Sequence, residues 1–168
     1  MTSVADRVYV HLSKRAPLYA WLLVALIVLG RNFYLSINVS HSIPGTLFLV
    51  HKGAMPQLGD MAAFRHTGGG GYVAGALFLK RIAGVPGSTV TAKESGAGFR
   101  DYFVDGRFVG RAKPVSRSGE PLKPGPEGMI PPEHYYMAAD HPDSFDSRYA
   151  AVGWVAQHQI VGKAYRLF

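Results

Sequence analysis

A chain of 168 residues with 18 lysines and arginines against 11 acidic residues, a formal charge of +7, is long enough for one domain with a self-sufficient core. It holds no cysteine, which excludes disulfides, thiolate metal sites and a cysteine nucleophile together. The positive excess suits nucleic acid, an anionic membrane surface or an acidic partner, but the basic residues are scattered from Arg7 to Arg166 without a dense run or aromatic interleaving, so no nucleic-acid partner is expected.

The first predicted element is a membrane span. Arg7, Lys14 and Arg15 precede the uncharged, apolar residues 16–30, and Arg31 ends the run. A bilayer span needs about 20 apolar residues. Phe33, Tyr34, Leu35 and Ile37 supply the missing length if Arg31 snorkels or lies at the outer interface. A cleaved signal peptide or a buried core helix gives a similar pattern, but the bulky Arg31-Asn32-Phe33-Tyr34 offers no small-residue cleavage site. The reading is an uncleaved signal anchor. The expected organisation is a cytoplasmic N-terminus over residues 1–15, a transmembrane anchor over 16–37 and an extracytoplasmic domain over 38–168, oriented by the basic residues that precede the span. Ser42 then lies within about 30 Å of the bilayer, given the reach of an extended chain.

Beyond the span, strand and turn signals take over. Residues 46–50 and 61–64 are short apolar runs bounded by Lys52-Gly53 and Gly59-Asp60, and both read as strands. Gly68-Gly69-Gly70-Gly71 reads as a mobile surface loop; no Lys-Ser/Thr pair follows it, so a phosphate cradle is not expected. Residues 76–83 read as a strand closed by the turn Val85-Pro86-Gly87. Two apolar arms around Asp105-Gly106 make a hairpin over 102–109. Residues 111–132 are rich in proline and glycine, the composition of a long irregular connection, either a plain loop or a lid. Residues 135–139 form a strand, 140–147 a polar loop and 159–164 a last strand. The domain is therefore mostly β, with little helix.

Three clusters carry chemistry. Strand alternation puts Phe78, Lys80 and Ile82 on one face; if that face is the core, the Lys80 ammonium is desolvated and its pKa falls towards the range of a general base. A serine hydroxyl needs such a base, and Ser42, in Ser40-His41-Ser42-Ile43-Pro44-Gly45, is the candidate nucleophile. In Asp143-Ser144-Phe145-Asp146-Ser147-Arg148-Tyr149, Ser144 and Asp146 lie two apart. In an extended segment both point one way and can orient a buried ammonium; Asp146 can also pair with Arg148.

In this order the clusters resemble the signal peptidase I family of membrane-anchored serine peptidases. Ser42-Ile43-Pro44-Gly45-Thr46-Leu47 is similar to that family's nucleophile box, Lys80-Arg81-Ile82-Ala83-Gly84-Val85-Pro86-Gly87 to its lysine box, and Ser144-Phe145-Asp146-Ser147-Arg148-Tyr149 with Val161-Gly162-Lys163-Ala164 to its C-terminal box. The resemblance implies a signal-peptidase-like β-sheet catalytic domain behind a single anchor in a bacterial inner membrane, with its catalytic part in the periplasm and no cofactor or metal. It implies Ser42 as nucleophile, Lys80 as general base, Ser144 orienting Lys80, Asp146 holding that loop through Arg148, and an oxyanion hole made by the Ser40 hydroxyl and the Ser42 backbone N–H. Proline directly after Ile43, the shortened Ala139-Asp140-His141-Pro142 run and the small domain look more like the TraF-type branch of conjugative plasmids. That branch implies a membrane-inserted precursor as partner, a pilin or another transfer protein. Val152-Gly153-Trp154-Val155 departs from the family's pattern.

Two other readings stand beside this one. A Ser-His-Asp triad would draw on His134 or His141, since His41 adjoins Ser42 and points away from it in an extended backbone. A catalytically inactive membrane-anchored scaffold of a secretion apparatus would keep the fold without the reaction. Histidine spacing matches no zinc motif.

Overall fold

The computed structural model describes residues 3–40 and 42–168. The order begins with α1 (Val4–Asn32), β1 (Phe33–Ile37), β2 (Leu47–Lys52), β3 (Met61–Arg65), β4 (Leu77–Gly84), β5 (Thr89–Glu94), β6 (Arg100–Val104) and β7 (Arg107–Ala112). It continues with β8 (Gly128–Met129), β9 (His134–Ala138), β10 (Val155–Ala156), a short 3-10 turn (Gln157–Gln159) and β11 (Ile160–Arg166). The protein is thus mostly β with one long N-terminal helix.

Helix α1 starts at a capping box. Ser3 Oγ accepts from the Asp6 backbone N–H, and the Asp6 carboxylate accepts from the Ser3 N–H, satisfying amides that the first turn leaves free. The helix has 29 residues and buries none of them; it is long and apolar enough to cross a membrane. It ends at Asn32, so Phe33, Tyr34, Leu35 and Ile37 do not prolong a helical anchor to residue 37 as expected: they form β1. The reason is the available partner. Five residues of β1 pair in register with β2, from Phe33↔His51 to Ile37↔Leu47, and Lys52 Nζ donates to the Gly30 carbonyl at 2.8 Å, placing a cation on one of the helix's last free acceptors.

Seven antiparallel strands form the main sheet in the order β1-β2-β11-β3-β4-β9-β10, and β7-β6-β5-β8 form a second sheet. The tight turn between β6 and β7 is Asp105-Gly106, both with positive φ (49° and 75°), the twist that matches a two-residue hairpin. Two buried clusters hold the main sheet. Ile43, Phe48, Val50, Ala63, Leu79 and Ala164 belong to one; Ala62, Phe64, Ile82, Met137 and Val155 belong to the other. A third, around Val90, Tyr102, Val104, Ile130 and Tyr136, joins the second sheet to β9. Over β1, β2 and β11 one face stays bare: Leu35 and Tyr165 both flank Leu49, and Leu35, Ile37, Tyr165 and Leu167 are exposed.

Candidate active site

The β1–β2 hairpin carries Ser42 in its loop, residues 38–46. The loop is closed at its base by the Asn38 N–H to the Thr46 carbonyl (2.8 Å) and held from outside by the Thr46 N–H to the Phe168 carbonyl (2.7 Å). Ile43 is buried and anchors the loop in the core. Gly45 has φ +114° with the Arg166 side chain and the Phe168 carbonyl against it, a position that a Cβ would fill.

Lys80 lies in the middle of β4, opposite Ala62 of β3. Alternation sets it on the same face as Phe78 and Ile82, as the sequence predicts, and it is only 5% exposed. Arg81 next to it turns outward to Asp140 at 3.3 Å. Leu79 is buried too, because β4 is covered on both faces. Lys80 Nζ is 2.8 Å from Ser42 Oγ and 2.9 Å from Ser144 Oγ. Burial lowers its pKa to about 8, partly opposed by the Asp146 charge and reinforced by Arg148; desolvation wins because the ammonium meets hydroxyls and the Phe78 ring rather than water.

Ser40 Oγ lies 2.8 Å from Ser42 Oγ. Ser144, Asp146, Ser147 and Arg148 are all buried, and the chain turns at Asp146–Tyr149, where the Tyr149 N–H donates to the Asp146 carbonyl at 3.0 Å. The Asp146 carboxylate does not hydrogen-bond Lys80. It accepts from the Ala139 N–H at 3.1 Å and from Arg148, and acts on Lys80 only through its charge. The pairing with Arg148 that the sequence allows is present. Ser147, which sequence reasoning passed over, exchanges two bonds with the Met137 backbone, N–H to carbonyl at 2.9 Å and Oγ from N–H at 2.9 Å, which stitches the turn to β9.

The expectation for His41 falls outside the described residues. His134 Nδ1 lies 2.8 Å from the Pro132 carbonyl, away from the site. His141 borders the cleft, but its Nδ1 is taken by the Asp143 N–H at 3.1 Å. Among the described residues, the side chains that hydrogen-bond Ser42 Oγ are Ser40 and Lys80.

A cleft of about 790 Å³ opens over Ser42 and Lys80. One wall is the end of β1 with Asn38, another the start of β4, a third the segment from Lys113 to Leu122. This part of the proline-rich 111–132 connection is fastened to the catalytic side by Asp143, which takes Lys113 and Arg117 together, the latter at 2.6 Å. The Lys113 hydrogen bond, then Arg117, hold the Asp143 carboxyl down at about 2. The glycine run is also part of the site. Gly70 has φ +60° and packs on the Phe145 ring, which is stacked between Tyr72 at 5.3 Å and Tyr149 at 5.5 Å.

A buried amine poised between two hydroxyls can take a proton from one while the other holds it, the requirement for activating a serine. The family model described as "Signal peptidase, peptidase S26" matches residues 11–168, nearly the whole chain. No curated protein matches it.

Proposed function

The chain belongs to the signal peptidase, peptidase S26 family, and on that premise we propose that it is a membrane-anchored serine endopeptidase in which Ser42 is the nucleophile and Lys80 the general base. The observation that carries this reading is the position of Lys80 Nζ, almost without solvent and within hydrogen-bond reach of both Ser42 and Ser144. Neutral Lys80 accepts the Ser42 proton as Oγ attacks the scissile carbonyl carbon. The oxyanion takes hydrogen bonds from the Ser40 hydroxyl and the Ser42 N–H, of which one donor is worth about 2.7 to 4 kcal/mol at the transition state. Lys80, now an ammonium held on Ser144, returns the proton to the departing amine. Water, deprotonated by Lys80, then releases the acyl group from Ser42. Asp146 and Arg148 keep Ser144 in place.

The substrate in this reading is a membrane-inserted precursor that carries a signal peptide, cut close to the bilayer by a periplasmic domain anchored in a bacterial inner membrane through α1. The bare apolar face of β1, β2 and β11, continuous with the end of α1, supports that proximity. The spacing Ser42-Ile43-Pro44 and the small body favour a precursor of the conjugative-transfer kind, a pilin or a related protein.

Full-length enzyme in detergent, incubated with such a precursor, tests the reading. Ser42→Ala and Lys80→Met each abolish cleavage. Persistent turnover in either variant overturns the dyad, loss of turnover on changing His141 alone establishes a triad, and an inactive wild type whose deletion still stops transfer identifies a scaffold.

A further inference from the structure

Among the described residues of the loop that carries Ser42, Asn38 makes the most side-chain hydrogen bonds. It is half-buried at the end of β1, one residue past the last pair of the hairpin. Its Nδ2 donates to the Ile43 carbonyl at 3.1 Å and to the Gly45 carbonyl at 3.0 Å; its Oδ1 accepts from the Ser40 N–H at 3.1 Å and from Ser40 Oγ at 3.0 Å. Both amide hydrogens and both lone pairs are used. The orientation of the amide is not open to exchange, because the Ser40 backbone N–H can only donate and must meet the oxygen. One side chain therefore ties the chain before Ser42 to the chain after it.

The bonds also have a direction. Ser40 has one hydroxyl proton, and Asn38 Oδ1 takes it. Ser40 Oγ is then an acceptor towards Ser42, which leaves the Ser42 proton pointing at Ser40 while Lys80 donates to Ser42 Oγ. For Ser40 to stabilise an oxyanion, its proton must leave Asn38 and turn to the substrate. Only the O–H rotates, because the Ser40 N–H remains bonded to the same Asn38 oxygen.

We propose that Asn38 is a positioning residue of the reaction, parking the Ser40 hydroxyl proton between turnovers and fixing Ser40 Oγ where rotation alone delivers that proton to the oxyanion. This rests on the reading of Ser42 as nucleophile and Ser40 as oxyanion donor. Alanine at 38 would strand two carbonyls and an N–H. Aspartate would keep the acceptor but set a carboxylate against the Ile43 and Gly45 carbonyls, within three hydrogen bonds of Lys80.

The test is steady-state cleavage of a precursor by the full-length enzyme with Asn38→Ala, Asn38→Asp, Ser40→Ala and the double variant Asn38→Ala/Ser40→Ala, with Ser42→Ala as reference. Asn38→Ala lowers kcat by about 10- to 100-fold, the scale of a small misplacement at a reacting centre, with KM within about twofold. Ser40→Ala costs about 100-fold in the wild type and under about tenfold in the Asn38→Ala background, since the donor it removes is already misplaced. Asn38→Asp shifts the pH of half-maximal kcat upward by stabilising the Lys80 ammonium, whereas Asn38→Ala leaves it unchanged. If Asn38→Ala does not fold, judged by its melting curve, Asn38→Asp carries the test through its pH shift. Multiplicative effects of Asn38→Ala and Ser40→Ala, or an unshifted Asn38→Asp profile, overturn the proposal while Ser42→Ala stays inactive. An active Ser42→Ala overturns the catalytic reading beneath it.

Discussion

Arg148 grips Asp146 with two parallel hydrogen bonds of 2.8 Å, Nε to Oδ1 and Nη2 to Oδ2, where the side chains are 1% and 0% exposed. The remaining guanidinium hydrogens reach the carbonyls of Arg111 (3.0 Å), His141 (3.3 Å) and Ser144 (3.2 Å). Gly110, at φ +138°, lies against the guanidinium, where a Cβ would collide with it. Such a pair is built for geometry, since desolvation consumes most of its attraction, and what it shapes is the turn that presents Ser144 to Lys80.

Removing one partner leaves the other charge buried alone. Arg148→Ala or Asp146→Ala is expected to cost about 3–5 kcal/mol of folding stability, and the double replacement by apolar residues less than the sum of the two. Denaturant midpoints of the three variants check this.

Activity should follow the neutral fraction of Lys80, rising with pH through about 8. The Asp146 charge holds that value up and Arg148 pulls it down, so Asp146→Asn is expected to move the midpoint of the kcat profile to lower pH in whatever fraction folds. A pH series of single-turnover rates measures the shift and its sign.

The same group links stability to pH. The folded Lys80 pKa is lowered from 10.5 to about 8, so below pH 8 both folded and unfolded chains carry the proton and the full burial penalty applies. Between about 8 and 10.5 the unfolded chain binds more protons, and stability rises with pH. Relative to Lys80→Met, the wild type is expected to gain on the order of 3 kcal/mol across that window. Paired urea titrations at pH 7 and 10 provide the comparison.

Gly70→Ala tests the aromatic wall of the cleft. The new methyl meets the Phe145 ring, which lines the cleft, and displaces it. KM should rise about tenfold, equivalent to about 1.4 kcal/mol, with kcat little changed. Stability should fall by about 1 kcal/mol for the left-handed backbone. A fall in kcat at constant KM would place Phe145 in the chemistry instead.

The strands with dense apolar runs were legible in the sequence: β2, β3, β4, β9 and β11 lie within two residues of the predicted stretches. Two were not. Strand β1 follows the membrane run without a change of composition, and only the β2 partner decides between helix and strand. Strand β5, Thr89–Glu94, has one buried residue, Val90, too little to make a pattern. The meeting of Ser42, Lys80 and Ser144 was foreseen from family likeness and strand alternation. Asn38 was invisible because four bonds from one amide leave no periodicity, and spacing alone left open whether Asp146 faces Lys80 or Arg148, since only the fold supplies the buried guanidinium.

No linker separates α1 from β1. Asn32 is helical, Phe33 is already a strand, and Lys52 latches the last helical turn to β2. The five residues of β1, at about 3.3 Å each, span about 17 Å between the helix end and the loop that carries Ser42. On the proposed reading the body works as a depth gauge rather than a blade on a cord: the stiff junction and short hairpin stem fix the reach of the Ser42 loop from the anchor, and lengthening that stem is expected to change which peptide bond of a precursor is cut.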